Sequence, residues 1–250
     1  MQRSRDLIWD GCLNVRDLGG HPTGDGAETR FGSVVRADSV GQLSPAGWEA
    51  LVAYGIRTVI DLRGDHERDE DPPGELPVDV LHVPFMEASE PEWEEIAEQL
   101  ERLDDLPVAD ATREAYVIFL ECFKPNVGAA VRAVAEAPEG GVVVHCVGGK
   151  DRTGLLTALL LEVAGVAIEE IAADYALSED RLRPRHDAWL EAAETKAERR
   201  RLERITQTPP EVITGVFGEL ERRYGSIDAY LRSAGVSDEE IARARSRLRG

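Results

Sequence analysis

The 250-residue sequence has only three cysteines, Cys12, Cys122 and Cys146, and none of them forms a C-x2-C pair. So few thiols at irregular spacing argue against a disulfide scaffold. The five histidines lack the spacing of metal ligands, so we expect no metal and no cofactor. Cys12 and Cys122 lack an arginine six positions later and are interpreted as inert buried residues. A reactive thiol requires a reducing compartment, which favours a cytoplasmic location.

Long apolar runs are also missing. The longest lies near residues 155–161 and is too short to cross a bilayer, and the N-terminus lacks the apolar core of a signal peptide. Lys and Arg number 29 against 48 Asp and Glu, which gives a formal net charge of −19. This acidity argues against nucleic acid as a partner and against adhesion to anionic membranes. We expect one domain over residues 1–250, without stable membrane insertion, and the oligomeric state is left open.

One segment, residues 145–154 with the sequence HCVGGKDRTG, carries most of the chemical information. A β-branched run at 142–144 precedes it and an apolar helical run from residue 155 follows it. The segment therefore joins the C-terminal end of a strand to the N-terminus of a helix. Ligands bind at this edge of open α/β sheets, and a helix N-terminus offers unpaired N–H groups to an anion. The pattern predicts a phosphate site.

The residue types in this segment suit the attack of a thiolate on phosphorus. Helix N-termini and adjacent cations favour the thiolate form of cysteine, which makes Cys146 the predicted nucleophile. Glycines permit a turn with inward-facing amides, and Arg152 supplies a planar fork for two phosphate oxygens. The predicted phosphate-binding residues are Val147, Gly148, Gly149, Lys150, Asp151 and Arg152. His145 is expected to orient the loop, and Thr153 to donate its hydroxyl to the sulfur.

The rest of the chain alternates predicted strands and helices. Strands are predicted at 32–36, 56–62, 78–85 and 142–144, helices at 44–54, 90–103, 110–123, 126–137 and 168–177, and an acidic loop at 64–75. This alternation predicts an α/β fold with a mostly parallel sheet that helices cover on both faces. Residues 209–250 predict two or three short packing helices, broken at Gly225 and Gly235.

Residues 179–206 are dense in charges of both signs and have few apolar anchors. Two interpretations stay open for them. They could be solvated helices stabilised by i,i+4 ion pairs, or a mobile flap over the cleft whose arginines assist anion capture.

Several motifs together resemble the bacterial tyrosine phosphatase family. They are HCVGGKDRTG, NVRDLGG at residues 14–20, IDLR at 60–63, ADY at 173–175 and YGSIDAYL at 224–231. The resemblance runs from about residue 8 to the C-terminus. It implies the cysteine-dependent phosphatase fold, with a four-stranded, mostly parallel sheet flanked by helices and a two-helix lid near 180–206. It also implies metal-independent activity on phosphotyrosine, with breadth to phosphoserine, phosphothreonine and phosphoinositides.

The general acid is open between two residues. The resemblance places an aspartate after the third strand, where this chain has Glu87, whose side chain is one methylene longer. Asp151 is the alternative, and we favour it because the loop itself fixes its distance from the phosphate. Residues expected to support the site are Arg16, Asp17 and Arg63, with Asp61 as a structural partner of Arg63 or Arg16.

Three functions are compatible with the sequence. The first is a protein-tyrosine phosphatase that forms a phosphocysteine intermediate on phosphorylated protein partners. The second is a phosphoinositide phosphatase with the same chemistry, which Gly149-Lys150 favours and the net acidity disfavours. The third is a catalytically silent phosphate-binding module or a rhodanese-like sulfur carrier.

Overall fold

A computed structural model describes residues 3–70 and 77–250, and within them one five-stranded sheet forms the centre of the molecule. Its strands are β1 (Arg16–Asp17), β2 (Val34–Ala37), β3 (Ile56–Asp61), β4 (Asp79–His82) and β5 (Gly141–His145), in the order β1-β2-β5-β3-β4. The last four are parallel, and β1 pairs antiparallel with β2 at the edge. The predicted four parallel strands are therefore confirmed, and the two-residue β1 is an addition.

The helices of the described residues surround this sheet. They are α1 (Pro45–Tyr54), α2 (Asp65–Glu70), α3 (Glu90–Glu101), α4 (Val108–Cys122), α5 (Lys124–Glu136), α6 (Arg152–Val163), α7 (Ile168–Ala192), α8 (Lys196–Ile205), α9 (Glu211–Tyr224), α10 (Ile227–Ser233) and α11 (Asp238–Arg249), with a 3-10 turn at Val40–Gln42. The breaks at Gly225 and Gly235 lie where the sequence places them. None of these helices combines the length and the apolar character that a bilayer crossing requires.

The alternation of side chains along the strands produces a core on each face of the sheet. Val142 and Val144 of β5 pack into the larger core, which contains α4, α5, α6, α7 and the three C-terminal helices. Val143 of the same strand faces the smaller core, which contains α1 and Trp9. All five residues of β5 are buried, as expected for a central parallel strand. The predicted coverage of both faces by helices is confirmed.

Three predicted elements differ in the structure, and one of them is the helix predicted at 168–177, which continues to Ala192 as α7. The predicted acidic loop at 64–75 contains helix α2 over its described part, and its residues 71–75 lie outside the described residues. Asp65 and Glu67 stand in the first turn of α2 and Arg68 in its last turn, an arrangement that complements the helix dipole. Strand β4 pairs with β3 only over Asp79–His82, so it is shorter than the predicted 78–85.

The register of the parallel strands brings three strand ends together. Ala37 of β2 and Asp61 of β3 both lie opposite His145, the last residue of β5. Segments that leave these strands therefore meet at one edge of the sheet. That edge holds the segment that the sequence marks as a phosphate site.

Candidate active site

Residues 146–152, hereafter the 146–152 loop, connect β5 to α6 at this edge. Cys146 follows β5 directly and is only 2% exposed, and Arg152 is the first residue of α6. Gly149 has a φ of +63°, and a Cβ there would lie 2.3 Å from the carbonyl oxygen of Ala37. Only glycine fits at this position, because a side chain would meet both backbone strain and the neighbouring strand.

The carbonyl groups of the 146–152 loop are held by donors from the sheet side. The Nδ2 of Asn14 donates to the oxygens of Gly148 and Gly149 at 3.0 and 3.1 Å. The Nη2 of Arg36 donates to the oxygen of Gly149 at 2.8 Å, and the amide of Ser39 to that of Val147 at 3.0 Å. The amides of residues 147–152 donate to no group in the described chain. Successive unpaired amides of this kind form a nest for an anion.

A buried ion cluster lies beneath the 146–152 loop. The two carboxylate oxygens of Asp174 accept from Arg16 Nε at 2.9 Å and from Arg36 Nη1 at 2.7 Å, and all three side chains are 1% exposed. Burial alone would raise the pKa of Asp174, but the two guanidinium groups hold it far below its usual range. Ser178 completes the cluster by accepting from Arg16 at 3.1 Å. Two positive charges, on Arg16 and Arg36, thus face the single negative charge of Asp174 directly below the nest of loop amides.

Asp61 pairs with one of the two arginines that the sequence offered as its partner. Asp61 accepts from Nε and Nη2 of Arg63 at 3.0 and 2.9 Å, whereas Arg16, the other candidate, pairs with Asp174. His145 places Nε2 3.7 Å from Asp61, and its Nδ1 donates to the Cys146 carbonyl at 3.1 Å. Burial lowers the pKa of His145 although Asp61 opposes the shift, so the ring is a neutral donor at pH 7.

Arg152 is held by a residue that the sequence did not indicate. Glu67 of α2 accepts from both terminal nitrogens of Arg152, with Nη2 at 2.7 Å from Oε1. Burial opposes ionisation of Glu67, but the hydrogen bond and charge of Arg152 lower its pKa. The Nε of Arg152 bonds to no described residue, so the edge formed by Nε and Nη2 can still take a phosphate. The sequence feature that could have indicated Glu67 is its position soon after the end of β3, at the ligand-binding edge of the sheet.

The two candidate acids occupy different places. Asp151 lines the cleft, its Oδ1 accepts from the hydroxyl of Tyr116, and Lys150 Nζ lies 3.3 Å from the same oxygen. Lys150 Nζ also donates to the carbonyl of Ile205. Glu87 is exposed and does not line the cleft. Asp151 thus shares the cleft lining with Cys146, whereas Glu87 lies beside Gly64.

Asp17 also lies apart from the 146–152 loop. Its carboxylate accepts from the amides of Gly19 and Gly32 at 2.6 and 2.7 Å and from the hydroxyl of Tyr54. These bonds fix the chain turn that follows β1. Asp17 supports the site only through the fold.

A cleft of about 450 Å³ opens above Cys146. One wall comes from the region of α3 and α4 and contributes Leu100, Leu103, Val108 and Phe119. The opposite wall comes from α7 and α8 and contributes Leu182, His186, Trp189 and Ile205. Cys146, Asp151 and Arg152 lie among its polar lining. The cleft is apolar along its sides and charged at its base, a shape that suits an aryl phosphate.

Residues 179–206 combine features of both interpretations. Leu182 and His186 of α7 are buried, whereas α8 contributes no buried residue. Arg185 is paired with Asp38 at 2.6 Å, and Arg204 donates to the carbonyl of Leu106 at 2.8 Å across the cleft. Residues of this segment line the cleft, while α8 has no buried residue.

The remaining cysteines differ from each other. The thiol of Cys12 donates to the carbonyl of Ser39 at 3.4 Å, and burial, followed by the charge of Asp38, raises its pKa strongly. Cys122 is exposed, so its interpretation as a buried residue is wrong; it ends α4 at the surface. Within residues 3–70 and 77–250, no group of three or more His, Cys, Asp or Glu side chains could hold a metal ion.

Comparisons with known proteins agree with this geometry. The model of a family described as "Tyrosine phosphatase family" matches residues 7–250. A tyrosine-protein phosphatase of Nostoc commune is 29% identical over 231 residues, which cover 86% of this chain and 73% of the relative. The triple specificity protein phosphatase PtpB of Mycobacterium tuberculosis is 29% identical over 280 residues, which cover 96% of this chain and 98% of the relative. A putative tyrosine-protein phosphatase of Cupriavidus necator is 28% identical over 252 residues, which cover 94% of this chain and 85% of the relative. The resemblance inferred from the motifs is confirmed.

The bidentate contact between Glu67 and Arg152, hereafter the clamp, leads to a prediction about Glu67. We expect Glu67→Gln to lower kcat/KM about tenfold, because a charged, bidentate partner of Arg152 is lost. Initial rates with p-nitrophenyl phosphate measure the effect. Glu70→Gln, an exposed position on the same helix, is the matched control and should stay within about twofold of the parent. Equal rates for both variants would show that the clamp does not orient Arg152.

Proposed function

Since this chain belongs to the tyrosine phosphatase family, we propose that it hydrolyses phosphotyrosine through a phosphocysteine intermediate on Cys146. The observation that carries the proposal is the position of this thiol among the cleft-lining residues, beside a run of unpaired loop amides and Arg152. Amides and a guanidinium fixed in advance stabilise charge that develops on the phosphoryl oxygens without reorganising. Most of the rate enhancement then comes from positioning and electrostatics.

In the first step, the thiolate of Cys146 attacks phosphorus in line with the bond to the tyrosine oxygen. The sulfur–phosphorus bond forms while the phosphorus–oxygen bond breaks, and Asp151 gives its proton to the departing oxygen. The support for Asp151 is its place in the cleft lining, which the exposed Glu87 does not share. Tyrosine leaves and the phosphoryl group stays on sulfur.

In the second step, water attacks the phosphorus of the phosphocysteine and gives a proton to the carboxylate of Asp151. The phosphorus–sulfur bond breaks, inorganic phosphate forms and the thiolate returns. Thr153 has a buried hydroxyl without a hydrogen-bond partner in the described chain. An unpaired buried donor is costly unless it finds an acceptor, and the departing sulfur supplies one. This supports the role proposed for Thr153.

The apolar walls of the cleft favour phosphotyrosine among phosphorylated side chains. An aryl ring can bury itself between Leu103 and Phe119 on one side and Trp189 on the other. Phosphoserine and phosphothreonine are shorter and leave these walls uncovered, so we place them as weaker substrates. One relative is named a triple specificity phosphatase, which supports such breadth here.

Phosphoinositide hydrolysis is the second candidate, because Lys150, Arg185 and Arg204 line the cleft with positive charge. Each of them already has a partner: the Ile205 carbonyl, Asp38, or the Leu106 carbonyl. A second phosphate would have to displace these bonds, so we rank lipid substrates below phosphotyrosine.

Family membership makes the chain a phosphoric monoester hydrolase, which leaves a silent binding module or sulfur carrier without support. A reactive thiol favours a reducing compartment, and we propose the cytoplasm.

The proposed function is tested by rates on a matched substrate panel. We expect kcat/KM to fall in the order phosphotyrosine peptide, phosphothreonine peptide, soluble phosphoinositide, each measured by phosphate release at equal concentration. Cys146→Ser should abolish turnover, since the alcohol is not ionised at neutral pH, while phosphate binding persists. Cys122→Ser, at an exposed position, is the control and should retain full activity. A phosphoinositide that is turned over faster than the tyrosine peptide would reverse the assignment.

The acid is tested by the dependence of rate on the leaving group. We expect Asp151→Asn to reduce kcat/KM about 100-fold with phenyl phosphate, because a poor leaving group needs a proton, and much less with p-nitrophenyl phosphate. Glu87→Gln is the matched control and should affect both substrates little. A selective loss with Glu87→Gln would move the role to that residue.

The lid over residues 180–206 within a single domain stays a prediction, and the contact of Arg204 with Leu106 suggests a test. We expect Arg204→Ala to free α8 and lower KM for a bulky phosphotyrosine peptide severalfold, up to about tenfold, the range one hydrogen bond allows. KM for p-nitrophenyl phosphate should change little. Arg201→Ala, exposed on the same helix, is the control. Unchanged KM values in both variants would favour static, solvated helices.

A further inference from the structure

We propose that Tyr116 is a positioning residue, which turns the side chain of Asp151 into the cleft so that it can protonate the leaving group. This inference rests on the proposed function, because it deepens the role given there to Asp151. Tyr116 belongs to α4, whose region forms one wall of the cleft, and its hydroxyl donates to Oδ1 of Asp151. The contact joins two residues that are 35 positions apart in sequence.

The first argument comes from what Asp151 does not do. It occupies the N-cap position of α6, where an aspartate normally accepts from the backbone amides of the first helical turn. Its side chain makes no such bond. The hydroxyl of Tyr116 holds the carboxylate instead, away from the helix end and in the cleft lining. The carboxylate of Asp151 therefore faces the cleft and does not cap α6.

The second argument concerns the two carboxylate oxygens. Oδ1 of Asp151 takes both contacts found in the described chain, the Tyr116 hydroxyl and Lys150 Nζ at 3.3 Å. Oδ2 takes none of the hydrogen bonds. A proton on the carboxyl group is therefore placed on Oδ2, which stays available to the leaving oxygen. Tyr116 fixes the group by its other oxygen and thereby determines which atom faces the substrate.

The third argument is that the tyrosine donor is itself oriented. The hydroxyl of Tyr175 in α7 lies 2.9 Å from that of Tyr116, and the rings meet edge to face at 6.1 Å. Because Tyr116 donates its proton to Asp151, Tyr175 must donate to Tyr116. Both side chains are buried, and burial together with the charge of Asp151 raises the pKa of each phenol. The pair is a neutral, directional donor chain that ends at Asp151.

A double-mutant cycle with two leaving groups tests the proposal. The proteins are the parent, Tyr116→Phe, Asp151→Asn and the double variant, and the substrates are phenyl phosphate and p-nitrophenyl phosphate. We expect Tyr116→Phe to lower kcat/KM about tenfold with phenyl phosphate and less than about twofold with p-nitrophenyl phosphate. In the Asp151→Asn background, the same change should have less than about a twofold effect on either substrate.

The outcomes separate this inference from the function on which it rests. A leaving-group-dependent loss in Asp151→Asn, together with a uniform or fully additive loss in Tyr116→Phe, would overturn the positioning role alone. A uniform loss in Asp151→Asn would overturn Asp151 as the acid, and the role of Tyr116 with it. A purely structural tyrosine would change both substrates alike, so the leaving-group readout distinguishes the two roles.

Two controls guard against an effect on folding. Tyr230→Phe also removes one buried tyrosine hydroxyl, which donates to the carbonyl of Leu120 at 2.8 Å, and it should leave both rates unchanged. Inhibition by inorganic phosphate should stay within about twofold in Tyr116→Phe, because the 146–152 loop is untouched.

Tyr175→Phe keeps the Tyr116 hydroxyl but removes its donor, so it should show a weaker loss of the same kind. Equal losses on both substrates in Tyr175→Phe would contradict the donor chain.

Discussion

An anion can bind the 146–152 loop only when the carbonyl oxygens of that loop point away from it, and buried donors impose this orientation. Asn14 and Arg36 hold the oxygens of Gly148 and Gly149, and Asp174 holds Arg36 in turn. The side chains of Asn14, Arg36 and Asp174 are at most 1% exposed, so a broken bond would leave one of their polar atoms buried without a partner. These bonds fix the direction of the loop carbonyls and leave the amides facing the cleft side.

The same cluster explains how a protein with a formal net charge of −19 can bind a dianion. Arg16 and Arg36 face the single carboxylate of Asp174, and the surplus positive charge lies directly under the loop. Salt and water screen buried charges far less than surface charges, so a short-range field from two guanidinium groups acts strongly at the site. The many acidic side chains at the surface are solvated and act weakly at this distance. Local geometry, and not net charge, governs substrate attraction.

The sequence predicted most of the fold and the identity of the loop, because both depend on local patterns. Apolar periodicity located the four parallel strands, and the residue types around Cys146 indicated phosphate chemistry. It did not identify Glu67 or Tyr116, since each reaches the site through tertiary contacts from a distant element. Composition even favoured a loop where Glu67 stands. The pairing of Arg16 with Asp174 was missed for the same reason, because 158 residues separate the two side chains.

Helix α7 links the ion cluster beneath the 146–152 loop to one wall of the cleft. Asp174 and Ser178 lie one turn apart and anchor its first half to the cluster beneath the 146–152 loop. Leu182 and Trp189, further along, form part of the cleft wall. Pro184 lies between these last two residues and lacks the N–H that would bond to the carbonyl four residues earlier. The helix is therefore weakest where the anchored half meets the wall. The wall beyond Pro184 is therefore joined to the anchored half of α7 through a turn with one backbone hydrogen bond fewer.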